Sequence, residues 1–263
     1  MQAVLEQKSF IYTTLSMTDQ ELLSLNAKGF IPGPGETEAA FIKRVNAVKH
    51  SFFENESIPR AHWDWTKHHT KEMFGFEPES LVAFYSNHEL APWQGAACWI
   101  DEGAVARLQL RERFRKGRYL GLYSREEVLV HESIHAARAA FDEPENEEFF
   151  AYSSSEKKWR QVLGPIVRKP WEVWILFGTC ILSLFWEVGL FASLLWIGAG
   201  LCRLARQHLV RRSAAKAFKP LFEDKKIRAI LFRLTDLEIR QLAQGKKLQG
   251  DDTLRWQLIR LLI

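Results

Sequence analysis

Two histidines and a glutamate fall within five consecutive residues, at a spacing that suits a metal site. The segment is His131-Glu132-Ser133-Ile134-His135. Side chains four residues apart lie on one face of a helix, one turn apart, so His131 and His135 can bind the same Zn²⁺ ion. Glu132 is displaced from that face but can reach a water molecule on the metal and accept its proton. The segment therefore predicts a zinc-dependent hydrolase with Glu132 as its general base.

The residues that flank this segment predict two consecutive helices. Ser124-Arg125-Glu126-Glu127 forms a capping box, which should begin a helix one to two turns before His131. We expect that helix to end near Ala140, because the polar run 142–146 interrupts it. A second helix should then cover about residues 146–162, and two adjacent glutamates lie in its first turn.

With these features the chain resembles the zincin metallopeptidases over roughly residues 105–159. The resemblance implies the two histidines as zinc ligands and Glu132 as the general base. In the gluzincin branch, the third ligand is a glutamate on the following helix, commonly with a small residue three positions later. Glu148, followed by Ala151, fits this pattern better than Glu147, and both are candidates for the third ligand.

The resemblance departs from the gluzincin pattern one turn after the glutamates. Gluzincins often carry an aspartate there, which orients a histidine ligand, whereas this chain has Tyr152. Hydrolysis of this type also needs a hydrogen-bond donor for the developing oxyanion. Tyr152, Tyr123 and Arg138 are candidates for that donor. We assign Tyr152 to the catalytic residues together with Glu132.

Three short segments upstream of the motif predict a small, mostly antiparallel sheet. They cover residues 81–85, 96–100 and 105–114, and residues 101–103 favour a turn between the last two. In the third segment apolar and polar residues alternate, which places Arg107 and Gln109 on a solvated face. The fold class is therefore α+β, with a zincin-like core in which one strand could border the active-site cleft.

Residues 171–202 are almost continuously apolar, which predicts insertion into a membrane. A single helix of that length would span about 48 Å, against a hydrocarbon core of about 30 Å, and would bury Glu187 near the centre. We therefore expect a helical hairpin with arms 170–186 and 188–204, either spanning or re-entrant. Basic residues on both sides place both of its ends in the cytoplasm. These are Arg160, Arg168, Lys169, Arg203, Arg206, Arg211 and Arg212.

Further helices are predicted at both ends of the chain. Thr18-Asp19-Gln20-Glu21 and Thr235-Asp236-Leu237-Glu238 are capping boxes, and each should begin a helix that ends at the next glycine. Apolar residues at helical spacing predict another helix over about residues 36–53. We interpret the histidine- and tryptophan-rich segment 58–76 as packing around the core rather than as a second metal site.

Composition argues against several other classes of protein. A net charge of +4 over 263 residues is too small to indicate nucleic-acid binding. Cys98, Cys180 and Cys202 are widely spaced, so they predict neither a disulfide framework nor a cysteine zinc site. Residues 1–25 carry acidic residues and no continuous apolar run, so we expect no secretory signal there.

These features divide the chain into an N-terminal helical segment (1–57), a zincin-like core (58–167), a transmembrane hairpin (168–204) and a C-terminal helical cytoplasmic segment (205–263). We expect a membrane-anchored zinc metallopeptidase that acts on proteins or peptides. One alternative is a catalytically inactive membrane scaffold whose motif is accidental or degenerate. A weaker alternative is a metal-dependent hydrolase of a non-peptide substrate. Bound zinc distinguishes the first two hypotheses, and peptide cleavage the third.

Overall fold

A computed structural model of the chain describes residues 17–50, 57–92, 94–101, 105–167 and 170–263 and has an α+β fold. The helices before the sheet are α1 (Asp19–Ala27), α2 (Glu38–His50) and α3 (Asp64–Phe74). The strands are β1 (Ala83–Tyr85), β2 (Ala96–Asp101), β3 (Val105–Leu110), β4 (Arg118–Tyr119) and β5 (Tyr123–Ser124). The helices that follow are α4 (Arg125–Ala137), α5 (Pro144–Ser153), α6 (Lys158–Leu163), α7 (Pro170–Leu182), α8 (Glu187–Phe218), α9 (Asp224–Leu231), α10 (Asp236–Ala243) and α11 (Leu254–Leu262).

Several predicted features coincide with these elements. The capping boxes of Thr18 with Glu21 and of Thr235 with Glu238 both form, at the starts of α1 and α10. The helix predicted over residues 36–53 corresponds to α2. The predictions made for residues 51–53, for Glu102 and Gly103, and for Arg168 and Lys169 lie outside the described residues.

Within the described residues the main sheet has three strands and is mixed. Strand β3 lies between β1, to which it is parallel, and β2, to which it is antiparallel. The prediction of a mostly antiparallel sheet is therefore right for one of the two strand pairs. Strand β3 also ends at Leu110 rather than at Phe114, because the Arg111 side chain donates to the carbonyls of Ala91 and Gln94 and a 3₁₀ turn follows.

The polar face predicted for β3 is only partly solvated. Arg107 is exposed, but Gln109 is only 4% exposed. The Gln109 amide nitrogen donates to the carbonyls of Ser86 and His88, and its amide oxygen accepts from the Trp99 indole. Burial of this amide is tolerated because its hydrogen bonds are made within the protein.

Helix α4, which carries the histidine motif, is packed between two hydrophobic clusters. Val130 and Ile134 contribute to a cluster that includes residues of α1, α2, α9, α10 and α11. Leu129 and Ala136 contribute to a second cluster that includes the strands. The two chain ends and the sheet therefore fix α4 from opposite sides, which restricts the positions of the side chains it carries.

The helix predicted over residues 146–162 is interrupted. Helix α5 ends at Ser153, and α6 begins at Lys158. In the intervening turn, the Ser154 hydroxyl donates to the Ala151 carbonyl and the Ser155 hydroxyl donates to Glu127 on α4. Serine hydroxyls that bond nearby backbone in this way compete with continued helix formation. The turn redirects the chain toward the start of α7.

Helices α7 and α8 form the predicted hairpin, with Trp186 and Glu187 at its turn. The two helices approach closely at Gly189, where an added Cβ would lie 2.2 Å from the Ser183 nitrogen. Among the described residues, α8 alone is both long and apolar enough to cross a membrane, and α7 has 13 residues. Large apolar side chains are exposed on both helices and in the turn between them, among them Trp174, Phe177, Phe185, Phe191 and Leu195.

The second arm of the hairpin does not end near Leu204, as predicted from the return of charge, but continues to Phe218. No glycine or proline occurs between residues 201 and 219, so nothing in the sequence stops the helix. The second half of α8 packs on the protein core. There the Arg211 guanidinium lies 3.9 Å from the ring centroid of Phe149 and 4.0 Å from that of Phe150, both on α5.

Candidate metal centre

The motif helix begins where the sequence predicts, but its capping box is half-formed. The Ser124 hydroxyl accepts from the Glu127 backbone N–H. The Glu127 side chain does not return to the cap and instead accepts from Ser155 and lies 3.2 Å from Arg160. The cap places His131 in the second turn of α4, with His135 one turn further on.

His131, His135 and Glu148 bring three possible metal-ligand atoms together. The Nε2 atoms of the two histidines are 3.3 Å apart. The Glu148 carboxylate oxygens lie 3.6 Å from His131 Nε2 and 3.7 Å from His135 Nε2. Ligand atoms of the three residues all fall within 4.8 Å of one another. Helix α5, which packs against α4, supplies the carboxylate.

These separations fit one tetrahedral zinc ion. Zn–N distances of about 2.0–2.1 Å and tetrahedral angles place neighbouring ligand atoms about 3.3–3.4 Å apart. The two histidine nitrogens, 3.3 Å apart, match that value. Glu148 brings Oε2 to 3.6 Å from His131 and Oε1 to 3.7 Å from His135, so its carboxylate faces both nitrogens. Two imidazole nitrogens and one carboxylate are also a donor set that zinc takes in catalytic sites, where a fourth position stays open.

Glu147 lies beside His135 rather than in the group of ligand atoms. Its Oε1 atom is 2.8 Å from His135 Nδ1. This contact favours a proton on Nδ1, which directs the Nε2 lone pair of neutral His135 toward His131 and Glu148. A carboxylate therefore contacts one histidine of the group, although Tyr152 stands where gluzincins often carry an aspartate. The geometry favours Glu148 over Glu147 as the third ligand.

Separate substitutions distinguish these two glutamates. Glu147→Gln should weaken zinc binding by about 10- to 100-fold, as expected when a residue that orients a ligand is lost. Glu148→Gln should weaken it by more, because it removes the carboxylate that contacts both histidines. Competition with a chromophoric chelator measures both affinities. A larger loss of zinc affinity in Glu147→Gln than in Glu148→Gln would make Glu147 the third ligand.

Burial and charge give the two histidines different proton affinities. Burial, with the positive charges of His135 and Arg160, holds the pKa of His131 well below its usual value. Burial also acts to lower the pKa of His135, but the hydrogen bond with Glu147 and the charges of Glu148 and Glu132 outweigh it and raise that pKa to about 9. The carboxylates around His135 therefore stabilise a positive charge at the centre of the group.

Glu132 is buried beside the group, at 8% exposure. Burial and the charges of Glu148 and Glu147 raise its pKa to about 7, although His135 and a hydrogen bond with the Cys98 backbone act in the opposite direction. A carboxylate whose pKa lies near neutrality can both accept and return a proton. Glu132 also lines the same cavity as the two histidines and Glu148.

Tyr152 and Tyr123 both line the cavity at this site. The Tyr152 ring packs edge-on against His131, with 4.7 Å between ring centroids. Gly164 fixes the other side of this ring, because a Cβ at that position would lie 2.1 Å from Tyr152 Cδ1. His131 Nδ1 is buried and has no hydrogen-bond partner among the described residues, so the aromatic contact takes the place of an orienting acceptor.

A cavity of about 440 Å³ opens over the group. One wall is β2, a sheet edge in the described part of the chain. The Leu108 N–H donates to the Val82 carbonyl, so the backbone groups of Leu108 face β1. Leu108 therefore exchanges no backbone hydrogen bonds with Cys98, its partner on β2. By the same alternation, the backbone groups of Ala96, Cys98 and Ile100 point away from β3, and these residues line the cavity.

Two arginines change the interpretation made from the sequence. Arg138, a predicted oxyanion donor, lies away from the cavity and is 1% exposed. Its guanidinium donates to the carbonyls of Phe232 and Leu234 and to Glu143. Arg160 lines the cavity instead, over the ring of Tyr123 at 4.8 Å. Arg160 could not be recognised from the sequence as a cavity residue, because its partner Glu127 is 33 residues away in the chain.

We predict that Arg138→Met lowers the free energy of unfolding by about 3–5 kcal/mol, because it leaves buried carbonyls and Glu143 without their cationic partner. Zinc bound per folded chain should not change. Denaturant titration in detergent measures the effect, and exposed Arg113→Met is the matched control, expected within about 0.5 kcal/mol of the parent. Unchanged stability with lost hydrolysis would return Arg138 to the list of catalytic candidates.

Most of the histidine-rich segment is a helix that packs against the core. Residues 64–74 form α3, and the buried Trp63 belongs to the cluster around the sheet. His69 Nε2 lies 2.7 Å from the Ser154 carbonyl, and the His69 ring stacks on Trp65. The group of His131, His135 and Glu148 is the one set of possible metal ligands found in the described part of the chain.

The chain matches no protein-family model, no curated protein and no solved structure. Its function must therefore be inferred from the geometry of this site.

Proposed function

We propose that the chain is a membrane-anchored, zinc-dependent peptidase of the zincin type. The observation that carries the proposal is the convergence of His131, His135 and Glu148 at separations that suit zinc, with Glu132 beside them. Zinc is not an arbitrary choice, because imidazole and carboxylate together suit it better than they suit calcium or magnesium.

The residues around the group have distinct roles in such a reaction. A bound zinc ion would supply a Lewis acid that polarises the scissile carbonyl and acidifies the attacking water. Glu132 accepts the proton of that water and delivers it to the leaving amine. Glu147 holds His135 in the tautomer that the site needs. The hydroxyl of Tyr152, which lines the cavity, would donate a hydrogen bond to the developing oxyanion.

The open edge of β2 favours a peptide as the substrate. An extended peptide can pair with an exposed strand through backbone hydrogen bonds, which tolerates many side chains. The outward backbone groups of Ala96 and Ile100 lie on either side of Cys98, whose backbone contacts Glu132. A peptide bound there would pass directly over the catalytic glutamate. This edge supports a peptide substrate over a small non-peptide one.

We predict that Tyr152→Phe lowers kcat by about 10²- to 10³-fold while KM and bound zinc change little, as for loss of one oxyanion donor. The phenyl ring keeps the contact with His131 and removes only the hydroxyl. Tyr123→Phe, on the same cavity wall, tests the other candidate. Steady-state kinetics on one peptide identify the donor as whichever variant loses kcat.

The hairpin supports membrane attachment, with both of its ends on the cytoplasmic side. From Glu187 to Arg203, α8 advances about 24 Å, which is less than a hydrocarbon core of about 30 Å. A hairpin of this depth suits re-entrant insertion from one side. Retention in the membrane pellet after carbonate extraction tests insertion, and recovery in the soluble fraction would contradict it.

The whole proposal is tested by incubating the purified, zinc-loaded chain with a peptide library and identifying products by mass spectrometry. Cleavage that stops with a chelator and returns with zinc supports the peptidase. Zinc binding without cleavage of any peptide favours a hydrolase of another substrate. Absence of zinc after reconstitution favours the second candidate, a membrane scaffold, which the exposed hairpin would serve equally well.

A further inference from the structure

Part of the cavity lining belongs to the base of the hairpin. Val167, which precedes α7, and Val173, in the first turn of α7, both line the cavity that contains His131 and Glu132. The same short stretch of chain therefore borders the candidate active site and enters the hairpin.

A partly buried ion pair marks the level at which the polar protein meets the apolar hairpin. Glu172 is 5% exposed and accepts from Arg203 on α8 at 2.7 Å. Arg203 also donates to the Ile166 carbonyl. Beyond this pair toward the turn, both helices expose large apolar side chains. Val173 is adjacent to Glu172, so the cavity lies at this boundary rather than at the far end of the protein.

An exposed apolar surface outside the hairpin continues the boundary. We call it the apolar rim; its side chains are between 45% and 61% exposed and are Leu120, Leu122, Trp159, Val162 and Leu163. His208 Nε2 lies 3.0 Å from the Val162 carbonyl, which places α6 against α8 less than two turns from Arg203. Lys157 donates to the Leu122 carbonyl, which joins the turn between β4 and β5 to α6. A rim of this kind beside an inserted hairpin would rest on the lipid interface.

We propose that the substrate is a polypeptide with its own membrane anchor, cut in the segment next to that anchor; this rests on the peptidase function proposed above. A cavity at the level of the Glu172–Arg203 pair is held near the bilayer surface by the hairpin and the rim. An extended chain advances about 3.3 Å per residue, so a segment leaving the bilayer beside the rim reaches Glu132 within about ten residues. The β2 edge then receives it in extended form.

The position of the cavity relative to lipid can be measured without activity. In a variant lacking Cys98, Cys180 and Cys202, a fluorophore is attached at Leu122→Cys or at Val162→Cys, and the full chain is placed in vesicles that contain bromine-labelled phospholipid. Both positions should be quenched strongly. Lys225→Cys on α9 is the control. Helix α9 follows the end of α8, and α8 advances about 22 Å from Arg203 to Phe218, away from the hairpin. Equal quenching at all three positions, or none, would overturn the inference.

The substrate class is tested in the same vesicles with an anchored reporter. The reporter begins with a transmembrane helix, which is followed by a randomised segment, the near copy. A flexible linker of about 40 residues then leads to an identical segment, the far copy. The zinc-loaded chain should cut the near copy at least about tenfold more often than the far copy. A matched reporter without the helix should show a ratio close to one. Because both copies share one molecule, co-localisation in the membrane does not bias the ratio.

The outcomes separate this inference from the function on which it rests. Cleavage of both reporters with a near-to-far ratio close to one would keep the peptidase and remove the anchored substrate. No cleavage of either reporter by the zinc-loaded chain would remove the peptidase, and the substrate class with it.

Discussion

Glu132→Gln should abolish most hydrolysis while leaving the metal in place. General acid–base catalysis contributes about 10²- to 10⁴-fold to rate, so kcat/KM should fall by a factor in that range. Glutamine keeps the size of the side chain and can still bond the Cys98 backbone, but it cannot accept a proton from water. Zinc content should stay equal to that of the parent, since Glu132 is not among the three grouped ligands.

The control for this variant is Glu126→Gln, on the same helix. Glu126 pairs with Arg125 and does not line the cavity, so the same change of charge there should leave kcat/KM unaltered. Peptide hydrolysis and metal analysis on the two variants in parallel decide the assignment. Full activity in Glu132→Gln would remove Glu132 as the general base.

His135→Ala should release the metal and with it all zinc-dependent hydrolysis. His135 lies at the centre of the group, within 3.7 Å of both other ligands and hydrogen-bonded to Glu147. Its loss leaves two ligands, which is below the three that catalytic zinc sites use. Zinc per chain, measured on detergent-purified protein, should fall from near one to near zero.

Exposed His68→Ala on α3 is the matched histidine control and should retain its zinc. It also tests whether the histidine-rich segment binds metal, because loss of zinc in that variant would contradict its interpretation as packing. Little zinc in the parent chain itself after reconstitution would favour the scaffold hypothesis, in which the hairpin attaches an inactive protein to the membrane.

The parts of the fold that the sequence predicted are those governed by local rules. The caps at Thr18 and Thr235 act over three residues, and both formed. The spacing of His131 and His135 depends only on the helix repeat, so their convergence followed from the motif. The turn at Glu187 followed from the cost of placing a carboxylate within a bilayer.

The parts that were missed depend on residues far apart in the chain. Arg138 is buried because carbonyls more than 90 residues away accept its hydrogen bonds. Gln109 is buried because Ser86 and His88 satisfy its amide. No periodicity in the local sequence encodes such partners. The roles of Glu147 and Glu148 likewise depend on how α5 packs against α4. That packing brings Glu147 to Nδ1 of His135 and Glu148 to the Nε2 atoms of both histidines.

The uninterrupted α8 has a consequence for how the chain tolerates changes in length. The helix is held at both ends, by the close approach of Gly189 to Ser183 within the hairpin and by Arg211 against the rings of α5. Each residue of a helix adds about 100° of rotation, so one inserted or deleted residue would turn the hairpin sideways relative to α5 and Glu148. Related chains should therefore vary this helix in steps of three, four or seven residues, and a hybrid that joins a foreign hairpin to this core must respect the same phase.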